Sequence, residues 1–137
     1  MKTILVVDDL LDIRKLIRIT IGDAYEVVEA DDGAMALQLV RRHHPCLVLL
    51  DIMIPGEMDG LQVLDAIRAD AELKATPVIM VTARGQAKDC DLGMSRGANA
   101  YFIKPFSPAL LFDSIKALTQ THPGERLAPA VVVVPIC

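Results

Sequence analysis

Short apolar runs alternate five times with longer amphipathic stretches along this chain, and no other feature restricts its fold so strongly. Ile4 to Val7, Cys46 to Leu50 and Val78 to Val81 are nearly all apolar. Runs this brief and rich in valine fit strands of a parallel sheet covered on both faces, and Val27-Val28 and Phe102-Ile103 mark two weaker strands. Between them the period changes. Ile13, Leu16, Ile17 and Ile21 fall on one helical face, with Arg14, Lys15 and Arg18 on the other. Ala36, Leu37 and Val40 give a second stripe, and Leu61, Leu64 and Ile67 a third. A weaker segment interrupted by glycine runs from about Gln86 to Arg96. The last helix takes Ser107 as N-cap and Pro108 as its first residue, with Leu111, Ile115 and Leu118 inward. Strand followed by helix, repeated, predicts a doubly wound α/β sheet with right-handed crossovers.

A chain of 137 residues suits one domain. That domain is expected over 1–120. The character changes after Gln120, so 121–137 is expected to be a linker and an apolar tail, Val131 to Val134 followed by Pro135, Ile136 and Cys137. A net charge of −4 argues against nucleic-acid binding, since a phosphate backbone wants a basic face. No lysine or arginine run could anchor a membrane, and four apolar residues before Asp8 are too few for a signal peptide. A cytoplasmic protein is expected. Cys46, Cys90 and Cys137 are far apart and form no CxxC pair, so reduced thiols are expected rather than a disulfide framework or zinc site.

In a parallel α/β sheet, ligands collect beyond the carboxyl ends of the strands. Asp8 and Asp9 end the first predicted strand, Asp51 the third and Thr82 the fourth, and Lys104 follows the fifth. Each has an ordinary use alone: Asp8-Asp9 could cap a helix, Asp51 could be a turn acid, Thr82 a strand end, and Lys104 a surface lysine before Pro105. Together they mean more. If the first and third strands are neighbours, three carboxylates share one site and need a cation to coexist. Mg²⁺, a hard ion that takes carboxylates, waters and a phosphate, fits that need. Lys104 and the Thr82 hydroxyl suit phosphoryl oxygens, and a carboxylate can itself be the nucleophile.

At these residues the chain resembles the receiver domains of two-component response regulators. Ile4 to Asp9, Cys46 to Pro55, Val81 to Gly85, Gly97 to Tyr101 and Lys104-Pro105-Phe106 match the family's blocks in order and spacing. The resemblance implies a flavodoxin-like fold, five parallel strands in the order 2-1-3-4-5 with five helices. It implies that Asp51 is phosphorylated by a sensor histidine kinase or histidine phosphotransfer protein. Asp9, Asp51 and the Met53 backbone carbonyl would bind Mg²⁺ directly, with Asp8 acting largely through water. Thr82 and Lys104 would hold the phosphoryl oxygens. Tyr101 would be an aromatic switch that buries as Thr82 is drawn inward, and Lys104-Pro105 would be cis. The shifting face would be the fourth helix, fifth strand and fifth helix, which is also where a homodimer would form.

One departure stands out: Pro55 to Gly60 is one residue longer than the family's usual spacing. No enzyme turning over a separate substrate is implied. Phosphatases with an aspartate nucleophile generally want an acid two residues later, where this chain has Met53. A flavin or nucleotide binder would want a glycine-rich loop where Asp8-Asp9-Leu10-Leu11 stands. The remaining alternative is the receiver part of a longer DNA-binding regulator.

Overall fold

Strand and helix alternate as the hydrophobic pattern requires. The computed structural model describes residues 2–120, so the expected linker and tail at 121–137 lie outside the described residues. The elements are β1 (Thr3–Val7), α1 (Leu11–Ile21), β2 (Glu26–Ala30), α2 (Gly33–His43), β3 (Leu47–Leu50), α3 (Gly60–Ala69), β4 (Val78–Thr82), α4 (Ala87–Ser95), β5 (Ala100–Ile103) and α5 (Pro108–Thr119). All pairings are parallel, in the order β2-β1-β3-β4-β5.

Alternation along each strand divides the core in two. Leu5, Val7, Val48, Leu50 and Met80 meet Ala36, Val40, Leu64 and Ile67 from α2 and α3 on one face. Ile4, Val6, Leu47, Leu49, Ile79 and Phe102 meet Ile17 and Ile21 of α1 and Leu111, Ile115 and Leu118 of α5 on the other. The predicted α1 stripe is one residue too wide: Ile17 and Ile21 are buried, but Leu16 is 39% exposed at the margin. The α5 reading holds, Ser107 accepting a hydrogen bond from the Leu110 N–H. Cys46 is a free thiol.

At the end of the sheet remote from the predicted acids, Arg68 of α3 ties two loops together. Its Nε and Nη2 donate to the Gly97 carbonyl at 3.0 and 2.8 Å, and its Nη1 to the Thr76 carbonyl at 2.7 Å. Nη2 also reaches Asn99 Oδ1 at 3.0 Å, the atom that accepts the Val78 N–H. Gly97 lies at φ +108°, and a Cβ there would sit 2.9 Å from Arg68 Nε, so this backbone needs glycine.

Replacing the planar fork by one ammonium leaves several of these acceptors unmet. Arg68→Lys is therefore expected to cost about 2 kcal/mol in urea denaturation; a change within error would mean the fork adds nothing to the fold.

Candidate functional site

The register of the central strands brings the acids together. Val7 of β1 lies opposite Leu50 of β3, so Asp8 and Asp51 leave the sheet side by side, and the Asp51 N–H donates to the Val7 carbonyl at 3.0 Å. Lys104, just after β5, places its Nζ 2.8 Å from Asp8 Oδ2 and 2.7 Å from Asp51 Oδ2. All three side chains are nearly out of water, with 2%, 4% and 12% exposed for Asp8, Asp51 and Lys104. The other carboxylate oxygens are also engaged: Asp8 Oδ1 accepts from the Leu10 N–H at 2.9 Å, and Asp51 Oδ1 from the Met53 N–H at 3.1 Å.

Asp9 is exposed at the mouth of the site. One ligand atom from each of Asp8, Asp9 and Asp51 lies within 4.8 Å of the others. The helix-cap alternative for the acid pair does not hold, since α1 has Leu10 at its N-cap and no side chain capping it.

One ammonium shared between two carboxylates does not fully offset their burial. Burial raises the Asp8 pKa above its ordinary value, and the hydrogen bonds from Lys104 and Leu10 only partly oppose it. Burial alone would lower the Lys104 pKa, but hydrogen bonds to Asp51 and Asp8 outweigh it and the net direction is up. An oxygen-only donor set carrying more negative charge than its lysine can balance fits Mg²⁺.

The remaining predicted residues share this rim. Thr82 is fully buried, and its Oγ1 accepts from the Arg84 N–H at 3.3 Å. Tyr101 is also fully buried, and its hydroxyl donates to the Arg84 carbonyl at 2.6 Å. Burial, then the nearby Asp89 carboxylate, pushes its pKa up to about 12. Lys104-Pro105 is cis, as expected. Met53 turns its side chain outward, 58% exposed. The loop after it closes tightly: a Cβ on Gly60 would fall 2.0 Å from the Asp51 carbonyl oxygen, so no other residue fits. The longer stretch from Pro55 to Gly60 folds Met58 against Gly33 and leaves a hollow of about 240 Å³ lined by Asp32, Gly33, Ala34, Pro55, Gly56, Glu57 and Met58.

Sequence reasoning missed one residue of this surround. Arg14 reads as a solvent-face residue, yet its Nη1 donates to the Asp8 carbonyl at 2.7 Å and its Nε pairs with Glu29 Oε1 at 2.8 Å. No local pattern signals that contact, because α1 and β2 meet only in the folded chain.

Residues 4–116 match the family model described as "Response regulator receiver domain". The chain is 42% identical over 128 residues to the probable transcriptional regulator ycf27 of Cyanophora paradoxa, covering 93% of this chain and 52% of that one. It is 36% identical over 137 residues to the DNA-binding response regulator MtrA of Mycobacterium tuberculosis, covering 97% and 58%. The chain thus spans little more than half the length of these relatives. A putative response regulator from Chloroflexus aurantiacus superposes with a TM-score of 0.82 at 31% identity, over 88% of this chain and 98% of that one.

Removing the lysine tests the electrostatic account. Without divalent ions, Lys104→Met is expected to lose about 3 kcal/mol near neutral pH, since two nearly buried carboxylates lose their cation. The sign with pH follows from the raised Asp8 value. A carboxyl whose folded pKa exceeds its unfolded one penalises the folded state fully above the folded pKa, and acidification through that value relieves the penalty. The deficit of the variant against wild type should therefore shrink toward about pH 4. Urea midpoints measured across that range check it, and a constant deficit would contradict the account.

Proposed function

The chain belongs to the response regulator receiver-domain family, and on that premise we propose that it accepts a phosphoryl group on Asp51 from the phosphohistidine of a sensor kinase or phosphotransfer protein. The observation that carries this reading is the convergence of Asp8, Asp51 and Lys104 within hydrogen-bond distance at the carboxyl end of the sheet. An Asp51 carboxylate oxygen attacks phosphorus, the P–N bond to the donor histidine breaks, and the imidazole departs with the bonding pair. Lys104 exchanges its carboxylate partners for phosphoryl oxygens, and the Thr82 hydroxyl donates to another. Asp8, Asp9, Asp51 and the Met53 carbonyl are the residues that would hold Mg²⁺, which when bound neutralises charge developing on the transferred group. Water later hydrolyses the acyl phosphate and returns Asp51 to its starting form.

The output is a population shift: the phosphorylated site binds Thr82 and Tyr101 better in one arrangement than the other, and α4, β5 and α5 follow. That same face would carry a homodimer. A kinase-borne donor puts the protein in the cytoplasm, and no helix among the described residues is long and apolar enough to cross a membrane. It is a signalling acceptor rather than an enzyme with a separate substrate. The role proposed for 1–120 is the receiver, with 121–137 as linker and tail.

A second reading is favoured by the length comparison: this chain as the receiver part of a longer DNA-binding regulator, as its relatives' names describe those proteins. Reading the coding frame past Cys137 separates the two.

With Mg²⁺ and a small acyl phosphate donor, intact-protein mass spectrometry should record the gain of one phosphoryl group. Asp51→Ala, or removal of the metal by chelation, should abolish it. A gain that persists in Asp51→Ala would falsify the acceptor assignment.

A further inference from the structure

The acid pair of the site is not held by the site alone. Asp8 has its N–H on the Ala30 carbonyl at 3.1 Å, its Oδ1 on the Leu10 N–H and its Oδ2 on Lys104. Its own carbonyl, part of the peptide plane that leads into Asp9, is gripped by Arg14 Nη1 at 2.7 Å. No hydrogen bond holds the Asp9 carboxylate among the described residues, so its direction depends on that plane. Arg14 is itself braced. Its Nε pairs with Glu29 Oε1 at 2.8 Å, and Arg18 Nη2 holds Glu29 Oε2 at 2.5 Å. Only 16% of the Arg14 side chain is exposed. Glu29 faces Val6 in the β1–β2 register, two residues ahead of Asp8, so the brace runs from the edge strand through α1 to the acid turn.

We infer that Arg14, seated on Glu29, is a positioning residue for divalent-cation binding: it orients the Asp8–Asp9 peptide so that both carboxylates address one ion. This rests on the reading of Asp8 and Asp9 as magnesium ligands. Charge and geometry make opposite predictions for Arg14. A guanidinium beside an acidic site repels a divalent cation, so by charge alone its removal tightens binding. If the guanidinium sets the peptide plane, its removal weakens binding, as loss of a group that orients a ligand commonly does.

The test is calorimetric titration of MgCl₂ into the whole chain and its variants, with a urea midpoint for each. Arg14→Ala is expected to weaken Mg²⁺ binding about tenfold. Arg14→Lys keeps the charge but loses the fork that reaches two acceptors, and is expected to weaken binding in the same direction. Glu29→Gln retains an oxygen for Arg14 Nε but loses the charge that seats the guanidinium, and is expected to weaken binding less than Arg14→Ala. Mg²⁺ affinity in Arg14→Ala equal to or tighter than wild type overturns the inference, even if its urea midpoint falls, because a purely structural arginine lowers stability without weakening the ion. If Arg14→Ala gives no cooperative transition, Arg14→Lys decides on the same criterion. A wild-type chain that takes up no Mg²⁺ would sink the ligand reading itself, a result distinct from variants that bind as well as the parent.

Discussion

Everything at the carboxyl edge of this sheet depends on one arrangement: two nearly buried carboxylates, Asp8 and Asp51, sharing the ammonium of Lys104. Out of water, neither acid is comfortable without a cation, and a single positive charge divided between two anions leaves a surplus. That surplus is what the proposed divalent ion would offset. The same lysine can change partners, since an ammonium is a compact point charge on a flexible stem. An arginine there would be committed to one planar geometry.

The arrangement is possible because the chain winds the sheet from its centre outward. β1 and β3 are neighbours although a strand and two helices separate them in sequence, and their register leaves Asp8 and Asp51 abreast. Lys104 comes from the far edge, past β4 and β3, and reaches because its stem is long. Gly60 lets the chain double back against the Asp51 carbonyl, so Asp51 sits at the floor of a closed turn. At the other end of the sheet, Arg68 holds the loops that enter β4 and β5.

A second layer of charge surrounds the first. Hydrogen bonds from Arg18 and then Arg14 hold the Glu29 carboxyl below its ordinary pKa, so it stays ionised as a fixed seat for Arg14 over the working range of pH. The brace carries orientation from the edge strand to the acid turn, while Lys104 balances charge inside. These are separate tasks. A site that had charge balance but loosely held acids would present its oxygens in many directions and coordinate an ion weakly.

The sequence by itself determined the order of the elements and which polar residues stand at the carboxyl rim of the sheet. Three nearly all-apolar runs and two weaker ones fitted buried strands, and the amphipathic stretches between them fitted crossover helices, because hydrophobic period reports local geometry directly. Asp8, Asp51, Thr82 and Lys104 were legible for the same reason, each standing at the end of such a run. Leu16, which belongs to the stripe by period, ended at the margin because packing, not period, sets how wide a buried face is. Arg14 and Glu29 were illegible, fifteen residues apart in different elements, each an ordinary surface charge in its own context. Only the tertiary structure decided that they meet and that Arg14 turns inward to the Asp8 carbonyl. Contacts between distant segments depend on crossing angle and register, and a linear pattern carries neither.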